Sequence, residues 1–397
     1  MRSTINYLRI FFVISLFFLI TIEVMAKPKL HFAGLFILSQ QNEQNDVNGF
    51  QYSQKYINEK HYQFFREKII NDLKQNKKLS FDFESEEFGK IADADSIAFG
   101  ITFSDEKLLF LPLEKGLILD GWLMANVITF DFKKKVLIDF RPISIRILES
   151  FDDKNEAENW LKNTLYEKYI IQNNDFYNLI YEKLNQVQVD KKFNRFQVAN
   201  ISFSDNAENS FLNNINLKKD FEVFAAQSFE ALINLYNPEV RLIPNGSRVG
   251  AMNDYDIGLT SQFSDKNSFP DLVLNIPKPD YVFNIKLRDI KFIRNPGKNE
   301  DIEILTYGVF NTIQVLEPLS GETRFEFDFR KKDLKQVKKI QGEINEDFKW
   351  GILQSEQFEL FNVFAKEIKT KNFENLKLIT GNKGIIKELD NLNKIFK

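Results

Sequence analysis

One order of predicted secondary-structure elements occurs twice along this 397-residue chain. Each time, an apolar strand is followed by a polar loop, a helix with an apolar stripe, further strands and then trailing helices. The first copy begins at the strand 30–38 and the second at the strand 196–203. The sequence therefore predicts an α+β fold of two similar modules, each a small mixed or antiparallel sheet covered by helices.

The main helix of each copy carries its apolar residues at helical spacing. In the first copy, the predicted helix 55–75 has on one stripe Tyr62, Phe65, Ile69 and Leu73. In the second copy, the predicted helix 219–236 has Phe221, Phe224, Ala225, Phe229, Leu232, Ile233 and Tyr236. A later strand has Phe325, Phe327 and Phe329 on one face. We expect that face to pack directly on the second helix stripe, and each copy to have its own core.

The chain divides into three predicted segments. Residues 1–26 form a signal peptide, residues 27–190 form the first module with its trailing helices, and residues 191–397 form the second. The boundary between the modules falls near residues 189–194, where a short charged stretch interrupts the apolar periodicity.

The first 26 residues have the three parts of an export signal. Arg2 and Arg9 supply positive charge, the run 10–22 is almost wholly apolar, and Ala26 ends a segment suited to signal peptidase. We expect cleavage after Ala26 and a mature protein that is periplasmic or secreted. The alternative is an uncleaved anchor, but the apolar run is shorter than the ~18–20 residues that span a bilayer. No stable membrane span is therefore expected after cleavage.

Composition excludes several classes of site. The chain has no cysteine, which excludes a thiol nucleophile, a cysteine-ligated metal and the lipid-modified cysteine of a bacterial lipoprotein. The net charge is −3 with both signs interspersed. A nucleic-acid-binding protein needs a basic face, so no nucleic-acid partner is expected. We interpret the basic runs 133–135 and 331–332 as solvated residues at hairpin turns or strand ends.

Residues suited to acid–base or metal chemistry form no recognisable pattern. The only histidines are His31, in a predicted strand, and His61, in a predicted helix, and neither has a partner at a spacing typical of catalysis. A group of carboxylates close together in sequence contains Asp93, Asp95, Asp105 and Glu106. They are candidates for a hard cation, but the remaining ligands and the glycine of a calcium loop are missing. We interpret the two histidines and this group of carboxylates as structural.

Serine and glycine motifs are also incomplete. No Gly-x-Ser-x-Gly turn of a hydrolase surrounds Ser80, Ser104, Ser204 or Ser320. The segment 246–250 has two glycines around Arg248, but it lacks the lysine and the following helix of a phosphate-binding loop. The sequence therefore predicts no catalytic, cofactor-binding or metal-binding residue, and no cofactor.

The second copy resembles a family of bacterial envelope domains. Those domains have an Ala-Asp-Tyr-like segment at the start of a strand and a hairpin turn that often reads Thr-Gly-Glu. This chain has Pro279-Asp280-Tyr281-Val282-Phe283 and Ser320-Gly321-Glu322 in those places, whereas the first copy has Ala94-Asp95-Ser96-Ile97-Ala98 and a lysine turn. The family includes the amino-terminal domain of the Tol-system propeller protein, the curli secretion lipoprotein and lipoprotein activators of peptidoglycan synthases.

The resemblance implies a fold type and a general role in the cell envelope. The chain lacks the lipid-accepting cysteine of the family, so no lipid anchor is implied. We expect a non-enzymatic interaction protein of envelope assembly, secretion or scaffolding that binds other envelope proteins, for instance at an exposed sheet edge. The alternative is a periplasmic or secreted hydrolase that uses two carboxylates, such as a glycan-cleaving enzyme. A deep pocket with two acids would favour the hydrolase, and an open sheet edge would favour the binding protein.

Overall fold

The computed structural model describes residues 29–37, 59–76, 79, 81–84, 97–112, 116–187, 189, 193–210, 215–245, 256–259, 272–297, 302–338 and 346–396. Several residues singled out above lie outside this range, namely the predicted signal peptide, Ser80, Asp93, Asp95 and the glycine segment 246–250. For Asp105 only the backbone is described.

The first half of the chain folds as a strand, a helix and a long antiparallel meander, followed by helices. Its elements are β1 (Lys29–Ile37), α1 (Glu59–Gln75), β2 (Asp82–Glu84), β3 (Ile97–Pro112), β4 (Leu117–Asp131), β5 (Val136–Phe151), α2 (Lys154–Asn163), a π-helical turn (Glu167–Ile171) and α3 (Asn174–Asn185). The side chain of Asp153 caps α2 and that of Asn173 caps α3, because each accepts a backbone N–H of the first turn. The lysine run 133–135 forms the turn between β4 and β5, as predicted.

The second half also begins with a strand and a helix, and it ends in three long strands and a helical segment. Its elements are β6 (Arg195–Phe203), α4 (Asp205–Ser210), α5 (Ile215–Tyr236), β7 (Arg241–Leu242), β8 (Asp256–Leu259), β9 (Leu272–Asn275), β10 (Tyr281–Pro296), β11 (Ile302–Leu316), β12 (Thr323–Lys338), α6 (Glu346–Thr370), α7 (Phe373–Leu376) and α8 (Ile385–Ile395). The predicted turn between β11 and β12 contains Gly321 at a φ of +71°, a conformation that favours glycine.

Two strand ends differ from the prediction. The sequence predicts a strand over residues 96–103, but β3 continues to Pro112 and pairs with β4 beyond a bulge between Phe103 and Asp105. The bulge shifts the alternation of apolar residues, which hides the continuation in the sequence. The run 331–332 lies in the middle of β12 and not at a turn or strand end, so its interpretation is wrong.

All the strands belong to one sheet, and with the helices this makes the fold α+β. Ten of them follow the path β2-β1-β3-β4-β5-β7-β6-β10-β11-β12, and β8 and β9 lie beside it. The pairs β1–β3 and β6–β10 are parallel, and each is followed by an antiparallel meander. Since β5 and β7 are antiparallel, β7, β6 and β10 run opposite to β2, β1 and β3.

The two halves share a core, which the sequence did not predict. One large buried cluster lies entirely in the first half, between the sheet and the helices α1 to α3. The other combines helices of the second half with first-half residues that include Phe36, Phe130 and Phe140. Trp122 on β4 also packs between second-half helices, with its ring centroid 4.4 Å from that of Phe358 and 6.4 Å from that of Phe224. Helices α5 and α6 therefore contact both halves of the sheet.

The phenylalanine face of β12 packs on the stripe of α5 through an intervening helix. Phe325 and Phe329 are buried, but their nearest ring partner is Phe364 on α6, at 5.9 and 5.1 Å between ring centroids. Phe364 in turn stacks on Phe229 of α5 at 5.9 Å. The predicted direct contact is therefore replaced by a layer of α6, which the sequence placed among the trailing helices.

Candidate functional site

The predicted candidate residues whose side chains the structure describes have partners within the fold. His31 lies buried on β1, 3.7 Å from Glu84, and His61 lies on α1, 3.6 Å from Glu167, so the two histidines face different carboxylates. Glu106 is buried and accepts a hydrogen bond from the Tyr166 hydroxyl. Among the described residues, no three His, Cys, Asp or Glu side chains are grouped as metal ligands.

The three described serines among the candidates bond to nearby backbone or turn groups. Ser104 Oγ donates to the Met124 carbonyl at 3.3 Å, and Ser320 Oγ donates to Glu317 at 3.0 Å within the β11–β12 turn. Ser204 Oγ donates to the Arg288 carbonyl and accepts the Ala207 N–H at 3.3 Å, which caps α4. None of these hydroxyls has a histidine among these partners.

The two halves of the sheet join through a very short strand. β7 has two residues, and it pairs with β5 only at Phe140↔Leu242. By contrast, β5 pairs with β4 along its whole length. A second link is equally short, because β9 pairs with β5 only at Val136↔Asn275. A sheet joined by so few residue pairs needs side-chain contacts on both faces to stay continuous, and polar groups concentrate at this junction.

One face of the junction has a cleft with side chains from both halves. It is lined by Ser104, Asn126, Phe140, Val223, Gln227, Glu230, Pro244 and Asn245. Its empty volume is about 290 Å³ including the part open to solvent, so the cleft is shallow and not an enclosed cavity. Among the described lining residues, Glu230 is the one carboxylate and Phe140 the one aromatic residue. A glycan-cleaving enzyme requires two carboxylates, and the described lining supplies one.

On β5, Asp139 and Arg141 flank Phe140 and point to the opposite face of the strand. Both are buried, and Arg141 Nε donates to Asp139 Oδ2 at 2.8 Å. The Arg141 guanidinium also donates to the Pro238 carbonyl at 2.6 Å. This last bond links β5 in the first half to the segment just before β7 in the second half.

Two more buried cations lie at the same junction. Lys183 on α3 donates to Asn234 Oδ1 on α5 at 2.7 Å, a second polar link between the halves. Burial, and then the charge of Arg141, lowers the pKa of Lys183 to about 8. Arg241 on β7 lies over the Phe193 ring at 4.8 Å, and burial also lowers its pKa. Around Asp139 the described, buried charges are thus one carboxylate and three cations, and they hold the halves together.

A further buried acid lies where α6 meets the long strands. Glu356 on α6 is 3.8 Å from Lys331 of β12. The pKa of Glu356 is raised to about 7, and burial is the main cause. The charge of Lys331 acts to lower this pKa, whereas the charges of Asp333 and Glu359 act to raise it. Its carboxylate is therefore held in an environment that disfavours its charge at neutral pH.

The stability of the protein should fall as the pH rises through the range set by Glu356. The folded pKa of about 7 exceeds the unfolded value, so the folded state binds a proton that the unfolded state has lost between about pH 4.5 and 7. Glu356→Gln should remove this dependence and raise the free energy of unfolding at about pH 8 by ~1–3 kcal/mol. Denaturant unfolding at about pH 5 and pH 8 measures the free energy of unfolding and its pH dependence. Glu158→Gln, at an exposed position on α2, is the control, and an unchanged pH slope in Glu356→Gln would refute the assignment.

The outer edge of the sheet is the edge of β12. No described strand pairs with this side of β12. The Arg330 N–H points outward and donates to the Ile379 carbonyl at 2.7 Å, and the Leu334 N–H is bonded to Asp333 Oδ1 at 2.7 Å. Because N–H groups alternate along an antiparallel strand, those of Glu326 and Asp328 point to the same outer side. The stretch Thr323–Phe329 is therefore an open edge next to a covered one.

Sequence reasoning missed the residues of the junction. Asp139 and Arg141 follow the ordinary polar alternation of a strand, and Lys183 and Asn234 follow the polar positions of helices. An indirect signal was present, because Asp139 and Arg141 flank the apolar Phe140 in the middle of a strand. Only the pairing of β5 with β7 reveals that these positions are buried.

Comparison with known proteins gives weak similarities only. No protein-family model and no curated protein matches the chain. Among solved structures, a protein described as a neuraminyllactose-binding hemagglutinin homolog from Helicobacter pylori is 14% identical with a TM-score of 0.25, over 47% of this chain and 89% of that one. A minor lipoprotein from Acinetobacter baumannii is 8% identical with a TM-score of 0.20, over 45% of this chain and 94% of that one. Within the described residues, the helices fall short of the length and apolarity that crossing a bilayer requires.

Proposed function

We propose that this chain is an exported, non-enzymatic interaction protein of the cell envelope, built from two copies of one α+β module. The signal peptide is residues 1–26, the cut follows Ala26, and the modules are residues 27–190 and 191–397. The protein acts in assembly, secretion or scaffolding by binding another envelope protein. The observation that carries the binding role is the open edge of β12 at Thr323–Phe329.

The order of strands supports the duplication. In the first half the order is β2-β1-β3-β4-β5, and in the second half it is β7-β6-β10-β11-β12. In each half a long helix follows the first strand, a short parallel strand lies beside that strand, and an antiparallel meander completes the sheet. The same strand order with opposite strand directions corresponds to a half-turn about an axis in the sheet, perpendicular to the strands, combined with a shift along that axis. This arrangement places α1 and α5 on opposite faces, since both crossovers are expected to be right-handed.

An open edge can bind a partner by strand addition. Backbone groups of an edge strand pair with any extended segment, and side-chain pockets supply specificity. At Thr323–Phe329 the half-buried Phe327 borders the core, while Glu326 and Asp328 are exposed. A partner strand with apolar residues on one face would extend the sheet and cover Phe327. The junction cleft, with its single carboxylate, gives no comparable support to the hydrolase alternative.

Site-specific photo-cross-linking in the full chain tests this function. A photoreactive residue at Glu326 should cross-link to one envelope protein, and the same residue at Lys154 on α2, also exposed, should not. Asp328→Pro removes an outward N–H and should abolish the cross-link from position 326. Asp328→Ala, which keeps the N–H, is the matched control and should retain most of it. Equal cross-linking in the proline and alanine variants would contradict binding at this edge.

A further inference from the structure

The far ends of β10, β11 and β12 form a three-stranded ribbon, residues 288–296, 302–310 and 330–338. Only one of its faces is packed. On that face Leu305 and Tyr307 are buried, and they pack with Phe292 and with Ile352 of α6. The opposite face carries no packed cluster among the described residues, so its side chains are available to an external partner.

The free face has an apolar row next to a cationic row. Cross-strand register aligns Ile293 with Thr306 and Thr306 with Leu334. Ile293 is 51% exposed and Leu334 is 63% exposed, which makes this row the most apolar part of the free face. The next row aligns Lys291 with Gly308 and Gly308 with Lys332, so two lysines border the apolar row.

Gly308, the glycine in the cationic row, leaves room for both lysine side chains to contact the same aromatic ring. A Cβ at Gly308 would lie 2.9 Å from the Lys331 carbonyl oxygen and 3.1 Å from the Lys332 side chain, so a larger residue would shift both the strand and that lysine. With glycine there, Lys291 and Lys332 each place their Nζ 5.5 Å from the ring centre of Phe310. Lys291 Nζ is also 3.3 Å from Asp289. The ring positions two ammonium groups beside the exposed isoleucine and leucine.

The ribbon is basic although the chain is not. Its basic residues are Arg288, Lys291, Arg294, Arg330, Lys331, Lys332, Lys335 and Lys338, and its acidic residues are Asp289, Glu303 and Asp333. This is eight positive and three negative charges, a net of +5 on a chain with a net charge of −3. The cross-strand register places Lys291, Arg330 and Lys332 on the free face together with one carboxylate, Asp289. A charge excess of this kind attracts an anionic partner.

We propose that the free face of this ribbon docks on the surface of a bilayer that contains anionic phospholipid. A bilayer surface offers both features that the face requires, because phosphate groups attract the lysines and the boundary of the acyl chains accepts Ile293 and Leu334. The lysine stems extend so that the charged ends stay in the headgroup layer. A soluble polyanion satisfies the charges but leaves the apolar row in water. The docking is peripheral and is separate from the open edge at Thr323–Phe329.

Vesicle flotation with the full chain tests the docking. Vesicles of phosphatidylcholine with phosphatidylglycerol should bind the protein, vesicles of phosphatidylcholine alone should bind it weakly, and added salt should release it. Lys291→Gln with Lys332→Gln should weaken binding about thirtyfold, because a basic residue near such a surface contributes ~1 kcal/mol. Ile293→Ser with Leu334→Ser should weaken it about tenfold or more.

Matched control variants distinguish binding by this face from a general effect of surface charge or of exposed apolar residues. Lys154→Gln with Lys162→Gln removes two exposed lysines of α2, and Leu319→Ser with Leu378→Ser removes two exposed leucines elsewhere. Both control pairs should bind vesicles like the unaltered protein, and all variants should keep its melting temperature. The proposal is overturned if the unaltered protein does not bind anionic vesicles, or if a control pair loses as much as a ribbon pair. Loss with the lysine pair but not with the Ile293 and Leu334 pair would indicate a soluble polyanion and would also overturn it.

Discussion

Asp139→Asn should lower the free energy of unfolding by about 3–5 kcal/mol, the usual cost of removing one partner from a buried ion pair. Asp139 is fully buried and accepts hydrogen bonds from Arg141 Nε at 2.8 Å and from the Phe140 N–H at 3.0 Å. Without its charge, Arg141 would lose its ion-pair partner, and Lys183 and Arg241 would lose the attraction of a buried carboxylate. Denaturant unfolding of the full chain at neutral pH measures the loss.

A surface pair on the neighbouring strand gives the control for this substitution. Asp120 on β4 pairs with Arg146 of β5 at 3.2 Å, but both side chains are partly exposed. Asp120→Asn should therefore cost only about 0–1 kcal/mol. If Asp139→Asn lowered the free energy of unfolding as little as Asp120→Asn, the junction cluster would not hold the halves together.

The pH dependence of the same variant gives a second test. The folded pKa of Lys183, about 8, lies below its unfolded value. Stability conferred by the neutral amine therefore rises as the pH increases from about 8 towards 10.5. Loss of the Asp139 charge should lower the folded pKa of Lys183 further, so the gain should begin at a lower pH. The deficit of Asp139→Asn should thus be smaller at about pH 9 than at about pH 7, and Lys183→Met in the same background should restore part of the stability.

Elements whose signal is local could be predicted from the sequence. The stripe Tyr62, Phe65, Ile69 and Leu73 is buried on α1, and the alternation at Tyr281–Leu287 lies on β10. The structure also has turns at the lysine run before β5 and at Gly321 before β12, as the residue types there predict. These features depend on spacing of three or four residues in a helix, two in a strand, or on one positive φ. The sequence contains all of that information within a short window.

Features that depend on distant pairing could not be predicted. The charged run 105–107 is typical of the end of a strand, and only its pairing with Met124, Leu123 and Trp122, in that order, keeps β3 extended. β9 pairs with β5 at a single position, within residues 247–279, which the sequence predicts to be an insertion between strands. The candidate site has the same origin, because Arg141 and Lys183 become functional links only where the second half meets the first. Periodicity reports which residues are buried, but not which element covers them.

The shared core has a consequence for the two proposed modules. The sequence predicted that each would bury its own core, and truncation of Phe327 would then weaken the second and spare the first. Instead, Trp122 of the first half is inserted between α5 and α6 of the second, and Phe36, Phe130 and Phe140 belong to the same cluster as Phe229. Residues 27–190 alone would expose this face to water. The halves are therefore expected to be structurally similar but not independently stable.

Trp122→Ala should lower the free energy of unfolding by about 3–5 kcal/mol, the typical cost of truncating a buried aromatic residue. Because Trp122 contacts Phe224 and Phe358, the loss should appear in both halves. Amide hydrogen exchange should therefore accelerate in β10–β12 as well as in β3–β5, and unfolding should remain one transition. Trp160→Ala is the matched control, because the described ring contacts of Trp160 are Phe151 and Tyr169, both in the first half. Its effect should be largest around α2 and the end of β5.

Residues 27–190 expressed alone should fail to give a cooperative melt. A cooperative melt of that fragment, with unchanged protection of β10–β12 in Trp122→Ala, would mean that each module folds by itself and that the contact with α5 and α6 is a docking interface added afterwards.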